Sequence, residues 1–268
     1  MLHDFIPIIQ NLPIAEHPNG ITIIPLADAH YGSQEFNEVR WHQTIKRIYE
    51  DPHCFCVIAG DLLDTGTRSS VTSPYSQTCS PRRQKEWLID ELRCISSKIL
   101  ACTDGNHEKR VSIESDQYPL YDVMLALGRE DVYRENICFV HIRLFFDWNG
   151  KKKHRISFTA AVTHGAGGGQ YIGSSANRVQ TFGQNIEGID LLITGHTHRP
   201  LTFPVSRLVF DPDAKTIKQK QFTVAVASSF LDYGGYPVQK LLPPTAHTTT
   251  EIKLNYTQDG KKEVRVLQ

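Results

Sequence analysis

The sequence predicts an α/β fold with paired sheets inside and helices outside, on three observations. Short apolar runs of strand character alternate with stretches of helical periodicity through the first two-thirds of the chain. The last third reads mainly as strands. Several apolar runs stop on carboxylates, amides or imidazoles instead of ordinary turn residues. No stretch repeats at a fixed period, and 268 residues suffice for one large core. Residues 1–268 are therefore read as one domain, in which the strands of 201–268 complete the sheets.

Residues 1–20 hold three prolines and end in His17-Pro18-Asn19-Gly20, a turn signal, so they form a leading strand or an arm. Residues 21–27 are a strand in which Pro25 argues for an edge position or a bulge, and it runs into Asp28-Ala29-His30. Asn37 caps a helix that reaches about Tyr49, with Trp41, Ile45 and Ile48 on one face. Cys54 to Ile58 is a buried strand leading into Ala59-Gly60-Asp61-Leu62-Leu63-Asp64. Residues 65–83 form a Ser/Thr-rich loop without periodicity, either a functional lid or a disordered insertion. A helix over about 84–97 shows Leu88, Leu92 and Ile95 at helical spacing, and the strand 99–103 then ends in Asp104-Gly105-Asn106-His107-Glu108. Pro119 opens and Gly128 closes a further helix.

Strands at 137–146 and 156–162 make a hairpin through Asp147-Trp148-Asn149-Gly150 and the basic run 151–155, and the second strand ends in Thr163-His164-Gly165. Val179, Phe182 and Ile186 share a helix face that Gly188 closes. The strand 189–193 ends in Thr194-Gly195-His196-Thr197-His198. Strands at 201–210 and 222–227 flank an Asp-Pro-Asp turn, and those at 251–256 and 263–267 make a last hairpin around Asp259-Gly260.

Composition removes some classes of function. Lys+Arg and Asp+Glu both number 29, so net charge gives no case for nucleic acid or an anionic membrane as a permanent partner, while a local basic patch stays open. Cys54, Cys56, Cys79, Cys94, Cys102 and Cys138 include no C-x-x-C pair, and most read as small buried hydrophobes of a reducing compartment. No signal-peptide pattern and no bilayer-length apolar run are present, so a cytoplasmic location without a membrane partner is expected.

The chemistry sits at five strand ends, which carry Asp28 and His30, Asp61 and Asp64, Asn106 and His107, His164, and His196 and His198. Ligands bind at the carboxyl ends of strands in α/β sheets, so groups distant in sequence can converge there. Buried carboxylates are destabilising unless positive charge meets them. A mixed carboxylate, imidazole and amide set suits manganese, iron or zinc better than calcium, and so many donors suit two ions better than one. A lone D-x-H or H-x-H pair says little; five such blocks in order, each at a strand end, say much.

The ordered blocks D-x-H, G-D-x-x-D, G-N-H-E, a single His before Gly, and G-H-T-H resemble the calcineurin-like metallophosphoesterases over residues 28–198. The resemblance implies a four-layer α/β/β/α sandwich with two central mixed sheets. It implies one divalent ion on Asp28, His30, Asp61 and His198, and a second on Asp61, Asn106, His164 and His196. Manganese leads as the metal, with iron, zinc and nickel as alternatives. Asp61 would then bridge the ions, and Asp64 would hydrogen-bond His107, the transition-state stabiliser or acid. Two ions about 3.5–4 Å apart lower the pKa of a bridging water toward neutrality and clamp phosphate oxygens for in-line attack.

The substrate expectation is a phosphate ester, leaning to phosphodiesters of nucleotides or nucleic acid. A phosphomonoesterase, a protein phosphatase and a non-catalytic metal-stabilised binding protein are the alternatives. Ser/Thr protein phosphatases carry Arg where this chain has Thr65, although Arg110 could partly replace that phosphate-binding guanidinium. Glu108 resembles the phosphatases, whereas many nucleases and cyclic-nucleotide phosphodiesterases of the superfamily carry Asp there. The basic run 151–155 reads as a solvated hairpin tip before it reads as a nucleic-acid contact. The glycines of 165–169 would bring backbone amides to phosphate or would just be a strand exit. Tyr171, Tyr233 and Tyr236 would stack on a base or cover core edges, and His3, His17, His42 and His247 read as ordinary.

Overall fold

The computed structural model of the chain describes residues 3–68, 70, 74–148, 151–167, 171–239, 241–257 and 261–268. Its elements run β1 (Ile8–Pro13), β2 (Ile21–Leu26), α1 (Glu38–Glu50), β3 (Cys54–Ala59), α2 (Pro81–Arg93), β4 (Ile99–Thr103), α3 (Asn106–Ser115), α4 (Pro119–Ala126) and β5 (Tyr133–Arg134). There follow β6 (Ile137–Trp148), β7 (Lys151–Thr163), α5 (Ile172–Gln184), β8 (Leu191–Thr194), β9 (Leu201–Asp211), β10 (Thr216–Val226), α6 (Gly235–Gln239), β11 (Glu251–Tyr256) and β12 (Lys262–Leu267).

The strands form two six-stranded mixed sheets, ordered β12-β11-β2-β3-β4-β5 and β1-β6-β7-β8-β10-β9. In the first, β2, β3, β4 and β5 run parallel. The strands β2, β3 and β4 are apolar runs buried at every position, as parallel strands covered on both faces must be. The sheets pack face to face around a core that includes Ile24, Leu26, Ile58, Leu100 and Val140, each buried and each contributing about 2 kcal/mol. A smaller cluster of Val179, Leu192, Val205, Phe222 and Val224 seals α5 against the outer face of the second sheet. The result is the expected α/β/β/α sandwich.

Local chemistry sets the helix ends. Asn37 accepts a hydrogen bond from the Arg40 N–H and starts α1, which buries Trp41, Ile45 and Ile48. Ser80 caps α2 and Pro81 occupies its first turn, so this helix begins earlier than its apolar spacing predicts. It ends at Arg93, and a 3-10 turn over Ser96–Lys98 takes the place of its expected last turn. The helix α3 is absent from the periodicity reading because Glu108 is its buried residue and it carries no apolar stripe.

One expectation is corrected. Pro25 lies neither on an edge strand nor at a bulge, since β2 runs between β11 and β3 and Pro25 pairs with Val57 in register. The residue is tolerated because β11 accompanies β2 only over Ile21, Thr22 and Ile23. Beyond Ile23 no strand among the described residues pairs on that flank, and the missing N–H leaves no ladder bond broken. In addition β10 starts at Thr216, six exposed residues before Phe222, as the partner of the full length of β9. The Asp259-Gly260 turn, the Asn149-Gly150 half of the Asp147-Trp148-Asn149-Gly150 turn and Gly168 and Gly169 lie outside the described residues, as do the side chains of 151–155 and Tyr236.

Candidate metal centre

The loops leaving β2, β3, β4, β7 and β8 meet at one edge of the sandwich and bring all nine strand-end residues together. Asp28, His30, Asp61, Asp64 and His164 are buried there, while Asn106, His107, His196 and His198 are half-buried. Around Asp28, the His198 Nε2 lies 3.2 Å from Asp28 Oδ1 and 3.2 Å from His30 Nε2. Around Asn106, its Oδ1 lies 2.8 Å from His196 Nδ1 and 3.1 Å from His164 Nε2, and the two imidazole nitrogens are 3.1 Å apart. Asp61 Oδ2 stands between the groups, 3.1 Å from His164 Nε2 and 3.9 Å from His30 Nε2.

The local sequence explains how the loops reach this geometry. Asp28, His30, Asp61, His196 and His198 all take left-handed backbone at φ 52, 47, 52, 72 and 56°, a conformation non-glycine residues adopt at a cost and hold where function requires it. Bonds across the loops hold it: Asp28 N–H donates to Gly60 O at 3.1 Å and His30 N–H to Asp61 O at 3.0 Å. The His196 N–H donates to Asp28 Oδ2 at 2.8 Å. The motif glycines leave room for the carboxylates. A Cβ on Gly105 would lie 2.0 Å from Asp61 Oδ1, and one on Gly195 would lie 2.6 Å from Asp28 Oδ2.

Glu108 anchors the backbone of the site, a contact the motif reading misses. Its fully buried carboxylate accepts the N–H groups of Asp61 at 2.9 Å, Leu63 at 3.1 Å and Gly105 at 3.0 Å, tying the Asp61 loop to the start of α3. The signal was a Glu three residues after Gly105, which is the capping-box spacing. Burial, and then the charge of Asp61, push its carboxyl up to about 7.

The electrostatics fit a cationic occupant. Burial works to raise Asp61, yet the imidazoles of His164, His107 and His30 hold it well below the ordinary carboxylate range. Burial likewise opposes ionisation of Asp28, and His198 and His164 lower it. The His164 imidazole, which burial alone would depress, is lifted to about 10 by the Asp61 carboxylate. His164 Nδ1 faces Ala59 O at 2.7 Å, which turns Nε2 toward Asp61, Asn106 and His196. Ring nitrogens, carboxylate and amide oxygens converge at 3.1–3.2 Å, close to the edge of about 3.3 Å of a tetrahedron with ligand bonds of about 2.0 Å. The donor set therefore fits divalent transition metals.

His107 stands beside these clusters. Its Nδ1 donates to Asp64 O at 2.7 Å and lies 3.3 Å from Asp64 Oδ1, so the backbone carbonyl and the carboxylate of one residue both hold the ring. Nε2 lies 4.0 Å from Asp61 Oδ2. Burial works to lower this imidazole, but Asp64 and Asp61 raise it. Thr65 donates its hydroxyl to His107 O at 3.1 Å. Arg110, one turn along α3, has Nε and Nη2 buried without a hydrogen-bond partner among the described residues. The remaining imidazoles have other contacts: His17 pairs with His53 at 3.1 Å, His42 lies 3.3 Å from Glu91 and His247 3.5 Å from Asp232.

Residues 21–200 match the sequence model of the calcineurin-like phosphoesterases. That span is well over half of the chain, and the protein belongs to this family. Among solved structures, Vps29 from Chaetomium thermophilum aligns at 10% identity over 92% of this chain and 95% of its own, with a TM-score of 0.41. A metallophosphoesterase from Sphaerobacter thermophilus aligns at 13% identity over 92% of this chain and 89% of its own, with a TM-score of 0.40. No curated protein sequence matches. Among the described residues no helix is long and apolar enough to cross a membrane.

Proposed function

We propose that the protein is a dinuclear metal-dependent phosphoesterase that hydrolyses phosphodiesters, with nucleotides or nucleic acid as the substrate class. The observation that carries this reading is the position of Asp61 Oδ2 between two ligand clusters. Asp28, His30, Asp61 and His198 would hold one ion, manganese by preference, and Asp61, Asn106, His164 and His196 would hold the other. When bound, the pair supplies the Lewis acidity that activates water and draws phosphate oxygens.

The chain's own residues do the rest. His107 has its Nδ1 engaged by Asp64, which leaves Nε2 to carry a proton toward the leaving oxygen. Arg110, one turn beyond His107 on α3, is the guanidinium we assign to a phosphate oxygen. Thr65 spends its hydroxyl on His107 O, which supports a substrate contact pattern unlike that of a protein phosphatase. We read residues 1–268 as one domain, supported by the pairing of β11 with β2 in the sheet that carries Asp28 and Asp61. A cytoplasmic setting is part of the same proposal, supported by six free cysteines of which four are buried.

The test is hydrolysis of bis(p-nitrophenyl) phosphate and p-nitrophenyl phosphate with manganese, against chelator controls. Faster metal-dependent turnover of the diester is expected. Faster turnover of the monoester would replace the substrate class, and no turnover of either with metal verified bound would replace the enzyme by a metal-stabilised binding protein.

A further inference from the structure

The segment between β3 and α2 contains a hydrogen-bond chain that ends on Asp64. The Thr65 N–H donates to Gln84 Oε1 at 2.9 Å. Gln84 Nε2 donates to Gln77 Oε1 and to Cys79 O, both at 3.1 Å. Gln77 Nε2 donates to Asp64 Oδ2 at 2.8 Å. The polarity is forced: a backbone N–H can only donate, so Gln84 turns its oxygen to Thr65 and its amide to Gln77, and Gln77 must turn its own amide to the carboxylate. Gln84 is fully buried, and Gly32 leaves the space that its side chain fills, since a Cβ there would lie 2.2 Å from Gln84 Nε2.

We infer that Gln77, anchored by Gln84, is a positioning residue that fixes the Asp64 carboxylate so that Oδ1 stays on His107. With Oδ2 held by Gln77, the carboxylate cannot rotate, and Oδ1 lies 3.3 Å from His107 Nδ1 and 3.8 Å from His30 Nδ1. One carboxylate orientation thereby sets the ring of the acid and turns the charge of Asp64 toward His30. The segment is a brace on the site rather than a passive insertion. The inference rests on the reading of His107 as the acid, and it specifies what keeps that acid in place.

Its test compares wild type with Gln77→Leu and with Gln77→Met, which keeps the length and loses the donor. The readout is the imidazole N–H spectrum of 15N-histidine protein loaded with zinc, with the His107 signal assigned by its loss in His107→Ala. In wild type the His107 Nδ1 proton is held by Asp64 O at 2.7 Å with Asp64 Oδ1 at 3.3 Å as a second acceptor, and in both variants its signal is expected to persist but to move upfield as Oδ1 is released. The Nδ1 proton of His164, bonded to Ala59 O, is expected to stay in place and serves as the internal control. If the His107 signal is unmoved in the variants, or if the His164 signal moves with it, the positioning role is overturned. This readout needs no turnover, so it stands apart from failure of the phosphoesterase reading. With turnover, a diester with an alkoxide leaving group is expected to slow about tenfold more than one with p-nitrophenolate; equal slowing of both would also overturn the role.

Discussion

The backbone N–H of His107 donates to Oδ1 of Asp61 at 2.8 Å, and this bond decides which oxygen of Asp61 remains for the rest of the centre. Oδ2 is left facing His164 and His30. Gly105 makes the approach feasible, because its α-carbon passes where any side chain would meet Asp61 Oδ1 at 2.0 Å. Gly105→Ala must push Asp61 out of register, with an expected loss of about 1–3 kcal/mol of stability and of metal binding at both clusters. Gly173→Ala is the matched control, since nothing lies within 4 Å of its added methyl and Ala is the better helix former by up to about 1 kcal/mol. Urea unfolding and metal content by mass spectrometry check the pair. Retention of wild-type metal content by Gly105→Ala would show that the Asp61 geometry is not what holds the ions.

The division of labour between Asp61 and His107 gives a second expected outcome. Zinc or manganese that binds only the folded state stabilises it by about 2.7 kcal/mol at a hundredfold excess over Kd. For a chain of this size, that raises the melting temperature by several degrees. Asp61→Ala removes the oxygen shared by both clusters and is expected to abolish this shift. His107→Ala leaves both clusters intact and is expected to keep the shift while losing about a hundredfold in turnover. Melting scans with and without chelator, beside steady-state rates, make the comparison. Equal loss of the metal-dependent shift in both variants would sink the assignment of roles.

Much of this site was legible because its chemistry is confined to side chains at strand ends. The apolar runs of β2, β3, β4 and β8 read as strands, so Asp28, Asp61, Asn106 and His196 fall at strand ends from which they can converge. What could not be read is carried by backbone and by amides. The left-handed φ of five site residues has no sequence signature outside glycine. Gln77 lies in a stretch with no periodicity and Gln84 in the first turn of a helix, and glutamine marks no particular contact. The helix α3 stayed hidden because it is held through its first turn and Glu108 rather than through an apolar face. Pro25 departs from the edge-strand expectation for a local reason: the strand is interior to its sheet, while its pairing with β11 stops at Ile23.

Far from the centre, His17 supplies a test of stability against pH. Its ring is buried, with Nδ1 3.1 Å from His53 Nδ1 and the ring edge-on to Phe55 at 5.4 Å between centroids. Burial, and then His53, lower its pKa below the ordinary 6.5, while Glu16 works weakly the other way. The unfolded chain therefore binds this proton more readily than the folded one, and the stability contributed by neutral His17 is present above about pH 6.5 and lost as the pH falls below it. Tyr256 donates its hydroxyl to His17 O at 3.1 Å, and Thr22 N–H donates to His53 O at 2.9 Å. Protonation at His17 thus loads the junction of β2, β3 and β11. In urea unfolding at pH 7.5 and 5.5, wild type is expected to lose more stability than His17→Gln, which cannot gain a charge. The difference between the two slopes isolates this residue from the carboxylates and imidazoles of the metal centre. Parallel slopes would show that the pair of imidazoles contributes nothing to the acid sensitivity of the fold.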